Sequence, residues 1–506
     1  MQYTYNGSQR TFNVIHRVPD DVLIEIFLAF NLVTLEDYRP YRTYHWTGGG
    51  MWRGPIVLGR VCRQWRTATL CAPRLWTNIS LTVTHVSRFP EAGNLVHLFN
   101  TRSGACPLQI EITIDTQMTG FWGEGRGAMT PADEGKSQPL ADALGESSGR
   151  WQDFYLNSPR GFIKQIEHAL RRDQPWSLPL LDHLYIVDLS HSRWSISEEW
   201  PVPKQNELPV DLFAISPRLK RVGFESIFYD YGKPEVKFPH PQIERVDAFS
   251  GDVHSCRELL RLCSNLIRCD RLQVERGEDG DGQPIRNDLQ VLMIEFSDED
   301  EEEDADVDTF FECLELPFIL DLQIRFNWAL QWTLDTRTLF ASFLTQTSTL
   351  QRFVLQLRDC PSEVFHSVLV ALPSLRDFGL FIYGEFGDSL LFSKELLEEL
   401  TFSDNGNVSA LLPNLHTLTL SGSIGINTPA FSAMVRSRTK ENKDGERGAL
   451  LQSFKLHMRI VSHDSTSSTT LRDSEFAEVR NILGDKADIQ IGDKVPVRWP
   501  GFPEPL

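Results

Sequence analysis

Leu372-Pro373-Ser374-Leu375-Arg376-Asp377-Phe378-Gly379-Leu380 and Leu412-Pro413-Asn414-Leu415-His416-Thr417-Leu418-Thr419-Leu420 share one pattern, Leu-Pro-x followed by Leu-x-x-Leu-x-Leu. The last two apolar positions of each stretch are two residues apart, so on an extended chain they fall on one face, and the residue between them falls on the other. The same pattern, with apolar substitutes, returns at Leu181-Leu184-Ile186, Leu219-Val222-Phe224, Ile243-Val246-Ala248, Leu289-Leu292-Ile294 and Ile319-Leu322-Ile324. It recurs again at Leu350-Phe353-Leu355, Leu397-Leu400-Phe402 and Leu451-Phe454-Leu456. Leu108-Ile110-Ile112-Ile114 reads as an earlier strand of the same kind.

The units recur every ~18 to ~38 residues, a spacing centred in the twenties that fits leucine-rich repeats. Helical patterns lie between them, at Gly161 to Arg172, Ser255 to Cys263 and Thr338 to Thr347. A strand-plus-helix unit cannot bury its own apolar face, so stacking is required. The expected fold class is α/β: a leucine-rich-repeat-like solenoid with a parallel sheet, behind a small helical module. An ordinary α/β domain whose strands begin with Leu remains the alternative. In the stacked arrangement Tyr185, Gly223, Gly379 and Thr419 occupy the positions between consensus residues. They are expected to face outward and to meet a partner protein.

Upstream of the array, Val18-Pro19-Asp20-Asp21-Val22-Leu23-Ile24-Glu25-Ile26-Phe27 reads as a helix start. Pro suits the first turn, where its missing N–H costs nothing, and the two Asp complement the helix dipole. Val22, Leu23, Ile26, Phe27 and Phe30 recur at helical spacing. A second helix is expected from Leu58 to Ala68, with Leu58, Val61, Cys62 and Trp65 on one face. Pro73 ends this region, and the apolar pair Leu75-Trp76 follows. Periodicity alone is equally compatible with a small bundle that buries its own faces.

These residues resemble the F-box. That family shows Leu-Pro with an acidic residue and an Ile-Phe pair, then Val-Cys-Arg-x-Trp, then Leu-Trp. Here Val18-Pro19 through Ile26-Phe27, Val61-Cys62-Arg63-Gln64-Trp65 and Pro73-Arg74-Leu75-Trp76 appear in that order. Val18 stands where Leu is usual, and the connection Asn31 to Pro55 is longer than usual. Together with irregular repeats, the chain resembles the large F-box families of mushroom-forming fungi. The resemblance implies docking onto a Skp-type adaptor, and through it a cullin. Val18, Pro19, Leu23, Ile26, Phe27, Leu58, Val61, Cys62 and Trp65 would make or support that contact.

The expected organisation is an N-terminal tail over residues 1–14 and an F-box over 15–80 with an insertion at 31–55. The repeat array covers 81–483, with loops at 120–149, 276–287 and 297–308, and a C-terminal tail covers 484–506. The chain has 506 residues, of which 41% are hydrophobic and 24% charged, and a formal net charge of -19. That charge disfavours a nucleic-acid partner and favours a target with a basic surface. Nine acidic residues fall between Asp298 and Asp308, a run expected to be solvated rather than folded. No apolar run nears the ~18 residues that span a membrane, and no signal peptide is expected. The eight cysteines are scattered, without the paired spacing of a zinc site, and read as reduced thiols of a cytoplasmic or nuclear protein.

Catalytic patterns are weak. Gly145-Glu146-Ser147-Ser148-Gly149 matches a nucleophile elbow in letters, but a polar stretch precedes it where a strand is needed. The glycines at 123, 125 and 127 lack a phosphate loop's Lys-Ser/Thr, and the calcium-loop start at Asp279 and Asp281 is not completed. The thirteen His include no HExxH pair. No cofactor, metal or catalytic residue is expected. The leading expectation is a non-catalytic receptor subunit of a ubiquitin ligase. A repeat scaffold without a ligase is the second reading, and a hydrolase using Ser147 the third.

Overall fold

The computed structural model describes residues 18–36, 54–114, 131–158, 160–171, 177–188, 210–225, 229–230, 233–234, 236–275, 283–296, 307–327, 332–358, 360–383, 391–402, 411–422, 426–439, 451–458 and 476–491. They group into two units: Met1–Asp230 with Pro234–Pro239, and His240–Leu506 with Tyr231–Lys233.

The first unit begins with helices α1 (Asp20–Glu36), α2 (Gly54–Leu58) and α3 (Arg63–Cys71), then a 3-10 turn over Pro73–Trp76. There follow β1 (Asn78–Val83), α4 (Phe89–Ser103), β2 (Leu108–Ile114), α5 (Pro131–Gly145), β3 (Trp151–Ser158), α6 (Arg160–Arg171), β4 (His183–Asp188) and β5 (Arg221–Glu225). Strands β1 to β5 pair in parallel and in chain order. The register lines up Ile79, Ile110, Phe154, Leu184 and Val222 in one row, and Leu81, Ile112, Leu156, Ile186 and Phe224 in the next. All ten are at most 2% exposed.

The second unit runs through β6 (Arg245–Asp252), α7 (Val253–Leu262), β7 (Arg268–Glu275), β8 (Val291–Phe296), α8 (Val307–Glu312), β9 (Asp321–Phe326), α9 (Leu334–Gln346) and β10 (Arg352–Leu357). It continues with α10 (Ser362–Val370), β11 (Asp377–Ile382), α11 (Lys394–Leu400), β12 (Thr417–Gly422), α12 (Thr428–Thr439), β13 (Ser453–Met458), α13 (Ala477–Leu483) and β14 (Ala487–Ile491). These strands also pair in parallel and in order. Two consensus rows cross the unit. The first holds Val246, Cys269, Leu292, Leu322, Phe353, Phe378, Leu418 and Phe454; the second holds Phe249, Leu272, Ile294, Ile324, Leu355, Leu380, Leu420 and Leu456. Each buried Leu, Ile or Phe of this kind is worth about 1.5–3 kcal/mol relative to leaving it in water.

The first Leu of each unit has a different task. It closes a tight turn just before the strand: Leu219 N–H donates to the Ser216 carbonyl, Leu350 to Thr347, Leu375 to Leu372 and Leu415 to Leu412. Pro373 and Pro413 follow the first residue of their turns, where a fixed φ is favoured. The next amides then bond to the preceding strand, as Asp377 does to the Gln351 carbonyl and Thr417 to Arg376. Turn and ladder thus set the register together.

Several expectations need correction. Leu397-Leu400-Phe402 is not a strand unit. Ser393 caps α11 by accepting from Leu396 N–H, and Leu396, Leu397 and Leu400 share one buried helix face. In β6 a register shift brings Phe249, not Ala248, opposite Leu272. The stretch 120–149, expected as a loop, contains α5, whose Leu140, Ala141 and Leu144 are fully buried. Gly93 on α4 makes that packing possible, because a Cβ there would lie 2.7 Å from the Pro139 carbonyl oxygen.

Of the expected loop 276–287, residues 276–282 lie outside the described residues, and Ile285–Arg286 pairs in parallel with Leu314–Glu315. Residues 297–306 of the acidic run also lie outside them. Its end is folded: Val307 is buried and Asp308 accepts from the Thr336 hydroxyl at 3.0 Å. The expected tail 484–506 contributes β14, which pairs with β13, before residues 492–506 leave the described set. Leu58 to Ala68 is two helices rather than one. The first tightens at Gly59 to Val61, and Cys62, with extended backbone, caps α3 by accepting from Trp65 N–H.

Candidate docking surfaces

In the N-terminal module, Leu23 and Phe27 point into the interior at 2% exposure each, and the Phe27 ring meets Trp65 at 4.7 Å between centroids. Gln64 Nε2 donates to the Val18 carbonyl at 2.9 Å and to Asp20 Oδ1 at 3.1 Å, tying the start of α1 to α3. Trp76 is buried and its Nε1 donates to the Thr69 carbonyl at 2.8 Å. With the inward positions filled, other apolar side chains of the module are left facing out. Val22 is 45% exposed, Ile26 52%, Val57 54%, Val61 59% and Leu70 41%. Val22 and Ile26 are one turn apart on α1, so they adjoin.

The residues assigned to adaptor contact therefore divide. Ile26 and Val61 are open, and Pro19 is exposed; Val18, Leu58, Cys62 and Trp65 are half-buried; Leu23 and Phe27 are interior and can only support the surface. Of the insertion 31–55, the first residues extend α1 to Glu36 and the last begin α2 at Gly54, while 37–53 lie outside the described residues.

The positions expected to meet a partner on the sheets also divide. In the first unit Tyr155 and Tyr185 stack at 5.1 Å, and the Tyr185 ring lies over Gly223, its neighbour in register. The Tyr185 hydroxyl donates to Glu225. Gly223 is covered for that reason, while Tyr185 keeps partial exposure. In the second unit Gly379 is covered too, because the side chains of Phe381 and Val354 close over it, each 3.3 Å from where its Cβ would be. Met293, Val354 and Phe381 form a buried apolar cluster on this second face. Thr419 is half-exposed. Both glycines were expected to face a partner; their missing side chains serve instead to admit neighbouring ones.

The rest of that second face is charged. Arg352 pairs with Asp321 at 3.1 Å, Arg268 with Asp270 at 2.5 Å, and Arg245 with Asp247 at 2.8 Å and Asp270 at 2.5 Å. Toward the strand ends, Glu295 accepts from Arg271 Nε at 3.0 Å and from Asn327 Nδ2 at 3.0 Å, with Arg325 at 3.6 Å. Burial pushes the Glu295 carboxyl up, but Arg271, Arg325 and Asn327 outweigh it and hold the group below the usual carboxylate range. The Tyr383 hydroxyl donates to the Phe326 carbonyl, beyond the last paired residues of β9 and β10. Burial pushes that phenol up to about 12, against the pull of Arg325 and Arg358. Sequence reading missed this group. Its only signal is that Glu295, Arg325 and Gln356 each sit one residue after a consensus apolar position in successive units.

The chemical candidates resolve into structural roles. Ser147 is 2% exposed; its hydroxyl donates to the Leu144 carbonyl at 3.0 Å and accepts from Trp151 Nε1 at 3.2 Å, an engagement that leaves no open nucleophile. Burial pushes the Cys263 thiol up to about 12 and raises Cys256 and Cys269 as well, so these are unreactive core thiols; Cys71, by contrast, is exposed. Among the described residues no group of three His, Cys, Asp or Glu side chains could hold a metal, and no helix is long and apolar enough to cross a membrane. Compared with known protein families, the chain matches no family model, and it matches none of the curated proteins in sequence.

Proposed function

We propose that the chain is a substrate-receptor subunit of a Skp–cullin–F-box type ubiquitin ligase, without catalytic chemistry of its own. The observation that carries this reading is the outward apolar set Val22, Ile26, Val57, Val61 and Leu70 on a module with F-box-like motifs. A small helical module that leaves such side chains in water gains by burying them against a partner. The parallel strand-plus-helix units behind it resemble a leucine-rich-repeat solenoid and supply a broad face for a target protein. The mechanism is proximity: the adaptor end fixes the complex, the array holds the target, and a conjugating enzyme acts at high effective concentration.

The test is capture of a recombinant Skp-type adaptor by the full chain. The double variant Ile26→Asp, Val61→Asp should lose capture while keeping the wild-type melting temperature to within about 2 °C, because both side chains are already in water. Equal capture by wild type and variant would overturn the assignment.

A further inference from the structure

We infer that Arg438, on α12, is a buried clasp that sets the turn at the start of β12 and fixes the register of that strand independently of the chain connecting α11 to it. The inference concerns the second unit alone and does not rest on the receptor reading.

Two turns of one sequence type are built differently. At Leu372-Pro373-Ser374-Leu375 the turn continues directly from α10. Ala371 N–H donates to the Ser367 carbonyl and Leu372 N–H to the Leu369 carbonyl, so the helix itself places the turn. Leu412-Pro413-Asn414-Leu415 has no such continuity. There α11 ends at Leu400, and after Phe402 the next described residue is Leu411. Leu411 N–H reaches back to the Glu399 carbonyl at 2.8 Å, and Leu412 takes a φ of 53°. That left-handed conformation brings Cβ too close to the following carbonyl oxygen and is strained for a Leu. Leu372 does not share it.

Arg438 spans the break. Its side chain is fully buried, and Nε donates to the Leu400 carbonyl at 2.7 Å, at the end of α11. Nη1 donates to the Leu412 carbonyl at 2.9 Å and Nη2 to the Leu411 carbonyl at 2.7 Å, both in the turn. The guanidinium also lies over the Phe402 ring, 4.5 Å from its centroid. The last carbonyls of a helix lack intrahelical partners, so Leu400 has an acceptor to offer. One planar fork thus holds helix end, turn and ring in fixed relation, which a flexible ammonium does not do. Among the described residues no carboxylate pairs with Arg438, and burial lowers its pKa to about 10, so it stays protonated at neutral pH. Burying a charge on carbonyls alone costs desolvation, so geometry rather than stability is what the contact supplies. The Leu412 carbonyl also accepts from Leu415 N–H, after which the His416 and Thr417 amides bond to the Arg376 carbonyl and begin the ladder. Fixing Leu412 therefore fixes where β12 starts.

Hydrogen exchange of the full chain, read by mass spectrometry over residues 411–417 and over residues 371–377 as the reference turn, tests the clasp. Arg438→Met, which keeps the length and loses the donors, should speed exchange of 411–417 by about tenfold and leave 371–377 as in wild type, because that turn has its own helix. Arg438→Lys, which keeps the charge and loses the fork, should not restore protection. A second arm lengthens the segment 403–410, which lies outside the described residues, by about six Gly and Ser residues between Gly406 and Asn407. Added loop length costs little closure entropy, so in wild type both turns should keep their protection. The same insertion in Arg438→Met should speed exchange of 411–417 further. Unchanged exchange at 411–417 in Arg438→Met overturns the clasp. An equal rise at 371–377 also overturns it, since that marks a general loss of packing. If Arg438→Met does not fold, the insertion in wild type decides. Retained protection at 411–417 supports the clasp, and faster exchange there shows that the connecting chain sets the turn.

Discussion

The two faces of the second unit's sheet are built to different standards. One carries Val246 through Phe454 and Phe249 through Leu456, aligned strand by strand and sealed from water. The other mixes an apolar cluster at Met293, Val354 and Phe381 with arginines, carboxylates and half-exposed side chains. Apolar burial is additive and indifferent to direction, so the first face specifies stacking. Charge pairs cost desolvation and return little net stability, so outside the cluster at Met293, Val354 and Phe381 the second face adds less to the fold per residue than the first.

The contrast can be broken by substitution. Leu380→Ala should have the largest effect, since Leu380 is fully buried between Leu355 and Leu420. A loss of about 2–5 kcal/mol in urea unfolding is expected. A loss under about 1 kcal/mol would show that the consensus row is not the core.

Next comes Glu295→Gln. Its carboxyl is held below the usual range in the folded state, so its contribution is present above the unfolded-state pKa and is lost as pH falls through the lower folded value. The expected cost near neutral pH is about 1–3 kcal/mol, as for a buried charge-assisted hydrogen bond. The sharper signature is pH dependence: wild type should lose stability below about pH 4, and the variant should show a flatter profile there. Parallel profiles would mean that Glu295 ionises alike in both states.

How much of this was readable beforehand follows from the physics of each face. The consensus rows repeat one residue class at one spacing, and the turn-closing Leu marks where each strand begins, so nine of the ten Leu-x-x-Leu-x-Leu stretches lie on strands. The tenth failed because a three-residue gap, Leu397 to Leu400, suits a helix as well. Strand β7 was missed because a Cys opens its pattern, Cys269-Leu272-Val274, and a register shift separates the first two of these residues. β14 was missed because Ile489 and Ile491 alone carry its pattern. The module's apolar face was readable, but not its split into interior Leu23 and Phe27 and exposed Val22 and Ile26. The arginine cluster was not readable, since its members are distant in sequence and meet only through strand register.

Gly379→Ala is a subtler probe. The added Cβ would sit 3.3 Å from Phe381 and from Val354, so both must give by a few tenths of an ångström. The expected cost is about 1 kcal/mol, measured by urea unfolding, and a gain in stability would show that the cluster is loosely packed.

The smallest effect is expected at Thr419, the neighbour of Gly379 in register on the same face. Its side chain is half-exposed and lies outside both consensus rows, so Thr419→Ala removes little buried area. Stability should change by no more than about 0.5 kcal/mol. Leu418 and Leu420, on either side of it in β12, are at most 2% exposed, and alanine at either should behave like Leu380→Ala. The alternation along this one strand therefore restates the contrast between the faces at single-residue resolution. If Thr419→Ala cost as much as Leu420→Ala in the same urea titration, the second face would be packed like the first.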